Sequence, residues 1–281
     1  MNTSLEYVRT GDKTYLVGPH FRVPRAKTVL VNVHGTASNF YENDWLWPLA
    51  EKLRDKGIAT ISTNNRGAYV LEGYQQTGSA IERFEDCVQD IDAWIQFARR
   101  KGYRKIILAG HSLGTEKAVY YMQKGKFRSA VTKLVLLAPA DSYGTEMKFL
   151  GKRRAKVFRE AKKLVRAKRG YEFINSIWNS HAGVLPKSAN SFLNFFGEKS
   201  ELLKALPFHR RALPGYQRIH IPILVVIGDG REYTAIPIRA ALALLSRENS
   251  LTKTLLLKHC NHDFTGNEEI LAHTVTNFIA Q

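Results

Sequence analysis

The chain has 281 residues, 44% of them hydrophobic and 24% charged, which is enough apolar material for a sizeable core and excludes wholesale disorder. Lys and Arg number 42 against 25 Asp and Glu, so the formal charge is +17, a field that attracts anions without specifying a class. No apolar run approaches the ~18 residues of a membrane-spanning helix, and the first residues lack a basic start followed by an apolar run. Cys87 and Cys260 lie far apart and form no metal-ligand spacing, so we expect free thiols, a cytoplasmic setting and no metal.

Short β-branched runs alternate with helix-length segments. Residues 5–8 and 13–17 read as a leading hairpin around Gly11-Asp12. A buried-type strand at 28–33 precedes a helix at 45–56, and the next strand, 59–63, stops at Asn64-Asn65-Arg66-Gly67. Ile81, Phe84, Val88, Ile91, Trp94, Ile95 and Ala98 recur at helical spacing and predict one helix from about 80 to 101. A strand at 105–109, a helix at 115–124 and a strand at 131–138 follow. Alternation resumes with strands at 223–227 and 254–257 and helices at 238–246 and 268–280.

Between these halves the pattern breaks. Residues 141–215 hold 16 Lys or Arg against six Asp or Glu, more than half of the net charge. Met147, Leu150, Val157, Phe158, Ala161, Leu164 and Val165 are spaced about a helical turn apart, and Pro186, Pro207 and Pro214 cut the remainder into short pieces. The expected fold class is α/β, a mostly parallel twisted sheet with helices on both faces. The expected division is a core of residues 1–140 and 218–281 with a helical cap or lid, 141–217, inserted at the carboxyl edge where ligands bind such sheets.

Gly110-His111-Ser112-Leu113-Gly114 ends the strand at 105–109 and opens a helix. In Gly-x-Ser-x-Gly the chain turns sharply at the serine and lifts its hydroxyl above the sheet edge, and the glycines permit close approach of backbone. With this context the chain resembles the α/β-hydrolase superfamily over nearly its whole length. His34-Gly35-Thr36 lies where that family has its oxyanion loop, Asn65-Arg66-Gly67 where members carry an Arg-Gly turn, and Asn261-His262-Asp263-Phe264 where they carry the catalytic histidine. The resemblance implies Ser112 as nucleophile, His262 as base, and the backbone N–H groups of Thr36 and Leu113 as oxyanion donors. His259 and His111 are read as bystanders.

The acid is open. The position expected of an Asp, three residues past Gly228, holds Arg231. Asp229 is favoured by residue type, Glu232 slightly more by counting back from Pro237, and Asp141 is a third option after the sixth strand. The expected activity is a serine hydrolase cleaving an ester or thioester through an acyl-enzyme, with no cofactor. The alternatives are acyl transfer, carbon–carbon hydrolysis or lyase chemistry on the same scaffold, or a non-catalytic binder of an anionic partner. The expected partner is a small-molecule acyl substrate, anionic or carried on an acidic protein. Nucleic acid is disfavoured, because the cap offers charge without a recognition motif or an evident stacking platform.

Overall fold

The computed structural model describes residues 2–69 and 78–281. Strands β1 (Asn2–Arg9) and β2 (Tyr15–Arg22) form the leading antiparallel hairpin, and β2 runs on past the expected Val17. Then come β3 (Thr28–Val33), α1 (Leu46–Asp55), β4 (Ile58–Thr63), α2 (Cys87–Arg100), β5 (Lys105–His111), α3 (Leu113–Lys124) and β6 (Val131–Leu137). The segment 138–222 contributes α4 (Ser142–Leu150), α5 (Arg154–Arg166), a small hairpin of β7 (Asn179–Ser180) and β8 (Gly183–Val184), α6 (Ala189–Phe196) and α7 (Pro214–Gln217). Last come β9 (Ile223–Gly228), α8 (Ile238–Glu248), β10 (Thr252–Leu257) and α9 (Glu268–Ala280).

Eight strands form one sheet in the order β1-β2-β4-β3-β5-β6-β9-β10, parallel from β4 to β10 and antiparallel at the β1–β2–β4 edge. Strand residues alternate between faces with period two. Val29, Val31, Ile106 and Leu108 pack with α2, α3 and α8, whereas Leu30, Ile107 and Ala109 pack with α1 and α9. Burial on both faces explains why these strands read as continuous apolar runs rather than as alternating ones. A third apolar cluster joins the 138–222 segment to the rest through Phe84, Leu113, Tyr120, Tyr143, Phe192 and Phe195.

Two helices differ from expectation. The one expected from about 80 begins at Cys87, because Arg83 is extended and Asn194 Oδ1 accepts the N–H of Phe84, so only short 3-10 turns precede it. The apolar spacing from Met147 to Val165 is shared by two helices rather than one. Gly151 takes φ +47° between them, in the left-handed region that glycine enters without a Cβ penalty. The two cysteines are free and buried.

Candidate active site

Strand β5 lies between β3 and β6, in the middle of the sheet, and delivers Ser112 to its carboxyl edge. Ser112 sits at φ 55°, ψ −125°, a conformation L-residues avoid and that is held only where surroundings over-determine it. Those surroundings are tight. Its N–H donates to Leu137 O at 3.0 Å. A Cβ on Gly110 would fall 2.2 Å from Gly114 O, and one on Gly114 would fall 2.2 Å from Val33 O. Both glycines of the motif are therefore required by backbone contact. Leu113 is the first residue of α3, so its N–H has no acceptor within the helix.

The loop after β3 approaches the serine directly, since a Cβ on Gly35 would come within 2.9 Å of Ser112 Cβ. Buried His34 braces this loop, with Nδ1 against Gly35 O at 2.7 Å and Nε2 accepting the N–H of Asn65 at 3.0 Å. Burial, with the Lys117 ammonium nearby, lowers its pKa to about 4. The ring is therefore neutral near pH 7, with its proton on Nδ1. Thr36, the next residue, is half-buried. The Arg66 turn is anchored rather than free: its guanidinium bonds Asp90 and Asp12, and Asp90 also accepts the Arg66 N–H.

His262 follows β10. Its Nδ1 lies 2.5 Å from Glu232 Oε2, while its Nε2 is buried with no hydrogen-bond partner among the described residues. The Glu232 side chain is fully buried, and its second oxygen, Oε1, has no partner among those residues either. The other two acid candidates are engaged elsewhere. Asp229 accepts the N–H of Cys260 at 3.2 Å and so ties the ends of β9 and β10 together. Asp141 accepts three N–H groups at 2.7 Å: Gly144 N, which caps α4, and the backbone N and Nδ1 of His209. Arg231 is exposed, and so is His259.

Three further side chains shape the site; Tyr233 and His181 lie in no motif, and His111 fills a variable position of one. Tyr233 presents its ring edge-on to His262, centroids 4.6 Å apart at 86°. His181, from the hairpin loop, packs on Tyr233 at 5.4 Å and is held by Glu146 Oε2 at 2.7 Å. His111, read above as a bystander, packs 5.0 Å from His262, and its Nε2 donates to the His262 carbonyl at 2.9 Å. Burial, with His262 beside it, lowers the His111 pKa to about 3, so this ring is a neutral spacer. The loop bearing Glu232 is tied to α4 by Asp141 N–H and Thr145 Oγ1, both donating to Tyr233 O, and by Lys148 Nζ donating to Ala235 O.

A groove of about 900 Å³ lies away from this constellation, between α5, α6 and the loop after α6. Phe158, Leu193 and Phe196 line it, but neither Ser112 nor His262 does. Among the described residues no group of three or more His, Cys, Asp or Glu could hold a metal ion, and no helix is long and apolar enough to cross a membrane.

Comparison with known proteins agrees with the architecture. Among solved structures, Est1E from Butyrivibrio proteoclasticus aligns with a TM-score of 0.65 at 16% identity, covering 98% of this chain and 97% of that one. A soluble variant of monoglyceride lipase from Saccharomyces cerevisiae aligns at 0.69 and 13% identity, covering 99% and 94%. The α/β hydrolase GrgF from Penicillium sp. sh18 aligns at 0.68 and 12%, covering 100% and 98%. A search of curated protein sequences finds no match. The sequence profile described as "Serine aminopeptidase, S33" matches residues 24–269, so the chain belongs to that hydrolase family and has the α/β-hydrolase fold.

Proposed function

We propose that the protein is a serine hydrolase that cleaves an ester or thioester through an acyl-enzyme on Ser112. The observation that carries this reading is the state of His262, whose Nδ1 is bound to buried Glu232 while its Nε2 has no partner among the described residues. A serine hydroxyl is a poor nucleophile without an adjacent base. In the proposed reaction Ser112 Oγ bonds to the substrate carbonyl carbon as its proton passes to His262 Nε2. The oxyanion is held by the N–H groups of Thr36 and Leu113. The leaving alkoxide or thiolate takes the proton from His262, and water then attacks the acyl-enzyme by the same route in reverse. Glu232 keeps the proton-bearing Nδ1 oriented and stabilises the imidazolium. No cofactor enters this scheme.

Residues 141–217 serve as the lid in this reading, and their positive surplus steers anionic acyl substrates, free or carried on an acidic protein, toward Ser112. An esterase and a monoglyceride lipase among the structural neighbours suit ester substrates. Acyl transfer to another acceptor would use the same residues up to the acyl-enzyme. The experiment is labelling by a fluorophosphonate probe, with turnover of esters and thioesters of varied chain length and charge. We expect wild type to be labelled and Ser112→Ala to be neither labelled nor active. An unlabelled wild type, or an equally labelled Ala variant, removes the proposal.

A further inference from the structure

The 22 residues from Lys148 to Arg169 carry eleven Lys or Arg and one carboxylate, Glu160. That carboxylate is occupied, because its two oxygens accept the N–H groups of Asn175 and Ser176 at 2.7 and 3.2 Å. Of the cations, Lys148 donates to Ala235 O and Arg169 pairs with Glu172. The other nine are exposed, and none has a carboxylate within ion-pair distance among the described residues. Helix α5 holds six of them along its 13 residues, a length of about 20 Å. Its apolar stripe is already used: Val157 and Ala161 are buried, and Phe158 and Leu164 pack beneath them. The cationic side therefore faces solvent as a fixed platform.

Uncovered apolar side chains border this platform. Phe149 and Val165 lie within the same segment, Tyr171 and Trp178 just beyond it, and Val184 on the β7–β8 hairpin, 70% exposed. The Arg153 guanidinium lies over the Phe149 ring at 5.0 Å, and Phe149, His181, Val184, Arg231 and Tyr233 line one shallow pocket. The charged and apolar parts thus meet beside Tyr233, whose ring packs on His262.

We infer that this surface docks on a bilayer bearing anionic headgroups. The cations would lie over the headgroups, while Trp178, Val184 and Phe149 would enter the interfacial zone. Charge complementarity selects a polyanionic occupant, and each Lys or Arg near such a surface strengthens attachment about fivefold. The apolar border distinguishes a bilayer from an acidic polypeptide or a nucleic acid. Aromatic and aliphatic side chains partition into a membrane interface but stay in water against a purely ionic partner. No spanning segment is involved. The docking does not depend on the hydrolytic reading, and its consequence is that the Tyr233 side of the site would meet the lipid first.

The test is co-sedimentation of full-length Ser112→Ala protein, so that hydrolysis plays no part, with phosphatidylcholine vesicles made with and without phosphatidylglycerol. We expect attachment only with phosphatidylglycerol, weakening as salt rises. Replacing Arg159, Lys162, Lys163 and Arg166 with Gln should lower the partition coefficient about fivefold per side chain. The same four changes, all at exposed side chains, should leave the circular dichroism spectrum and the melting temperature unchanged. Brominated lipid should quench tryptophan fluorescence, and Trp178→Phe should abolish most of that quenching. Equal attachment to both vesicle types overturns the inference, as does attachment unaffected by the Gln substitutions. So does retention by heparin or an RNA oligomer without attachment to vesicles, which would assign the platform to a soluble polyanion.

Discussion

Of the three histidine–carboxylate pairs that bear on the loop 229–237, two are bonded in opposite ways. Asp141 receives three N–H groups, two of them from His209, and its own N–H holds Tyr233 O. Every bond there fastens one backbone segment to another, and the His209 side chain is a quarter exposed. Glu232 receives His262 Nδ1, and each partner keeps a buried polar atom without a bond, Glu232 Oε1 and His262 Nε2. A buried polar atom left unbonded costs about 1–3 kcal/mol, so it calls for a reason. The pairing alone does not separate a structural pair from a reactive one. The unspent ring nitrogen of His262 is the observation that motivates the roles proposed above.

The sharpest way to break this comparison is to exchange the acids. Glu232→Gln should lower kcat by about 10⁴-fold, the scale of losing the group that orients a catalytic histidine, while Asp229→Asn should change it less than about tenfold. Comparable losses at the two positions would sink the assignment of Glu232. Asp141→Asn should behave in the reverse manner. It removes the negative charge from the acceptor of three N–H donors, so we expect a loss of about 2–3 kcal/mol in stability and a melting temperature lower by several degrees. Its kcat per folded molecule should fall far less than that of Glu232→Gln.

A third prediction concerns the two buried neutral histidines beside the site. His34 and His111 have folded pKa values lowered to about 4 and about 3, below the unfolded value near 6.5. As pH falls below about 6.5 the unfolded chain binds protons that the folded chain refuses. Their contribution to stability is therefore intact above that pH and lost progressively down to about 4 and 3. The slope should approach about 1.4 kcal/mol per pH unit for each histidine, measured by denaturant titration between pH 6 and 4 (roughly). His111→Gln should flatten it, and an unchanged slope would show that His111 does not supply it. The smallest effect is on encounter. Rising salt should lower kcat/KM for an anionic ester a few-fold and leave a neutral ester unaffected. An equal response for both would remove the steering role from residues 141–217.

The elements were legible in sequence wherever one residue pattern answers to one local cause. The strand–Gly110-x-Ser112-x-Gly114–helix order was readable because backbone contacts at both glycines demand it. The last helix was readable because Glu268 and Glu269 open it and its apolar residues keep one period. The boundary at Gly151 was harder, since apolar spacing continues across it while only the φ angle changes. Counting back from Pro237 favoured Glu232 only slightly over Asp229, because Arg231 occupies the expected position and a one-residue difference in a loop reverses which side chain points inward. Tyr233, His181 and Glu146 were invisible for a related reason: their proximity arises from how 142–184 folds back over 229–237, and no local spacing records it.

That folding back has a consequence for anyone redesigning the molecule. Tyr233 O is held by Asp141 and Thr145, and Ala235 O by Lys148. The start of α4 is therefore part of the brace of the loop that carries Glu232. A shortened chain that joins residue 140 to residue 218 would not be a more open version of the same molecule. It would release the support of its own Glu232 loop, so variation in the insertion is tightly restricted in the first turns of α4.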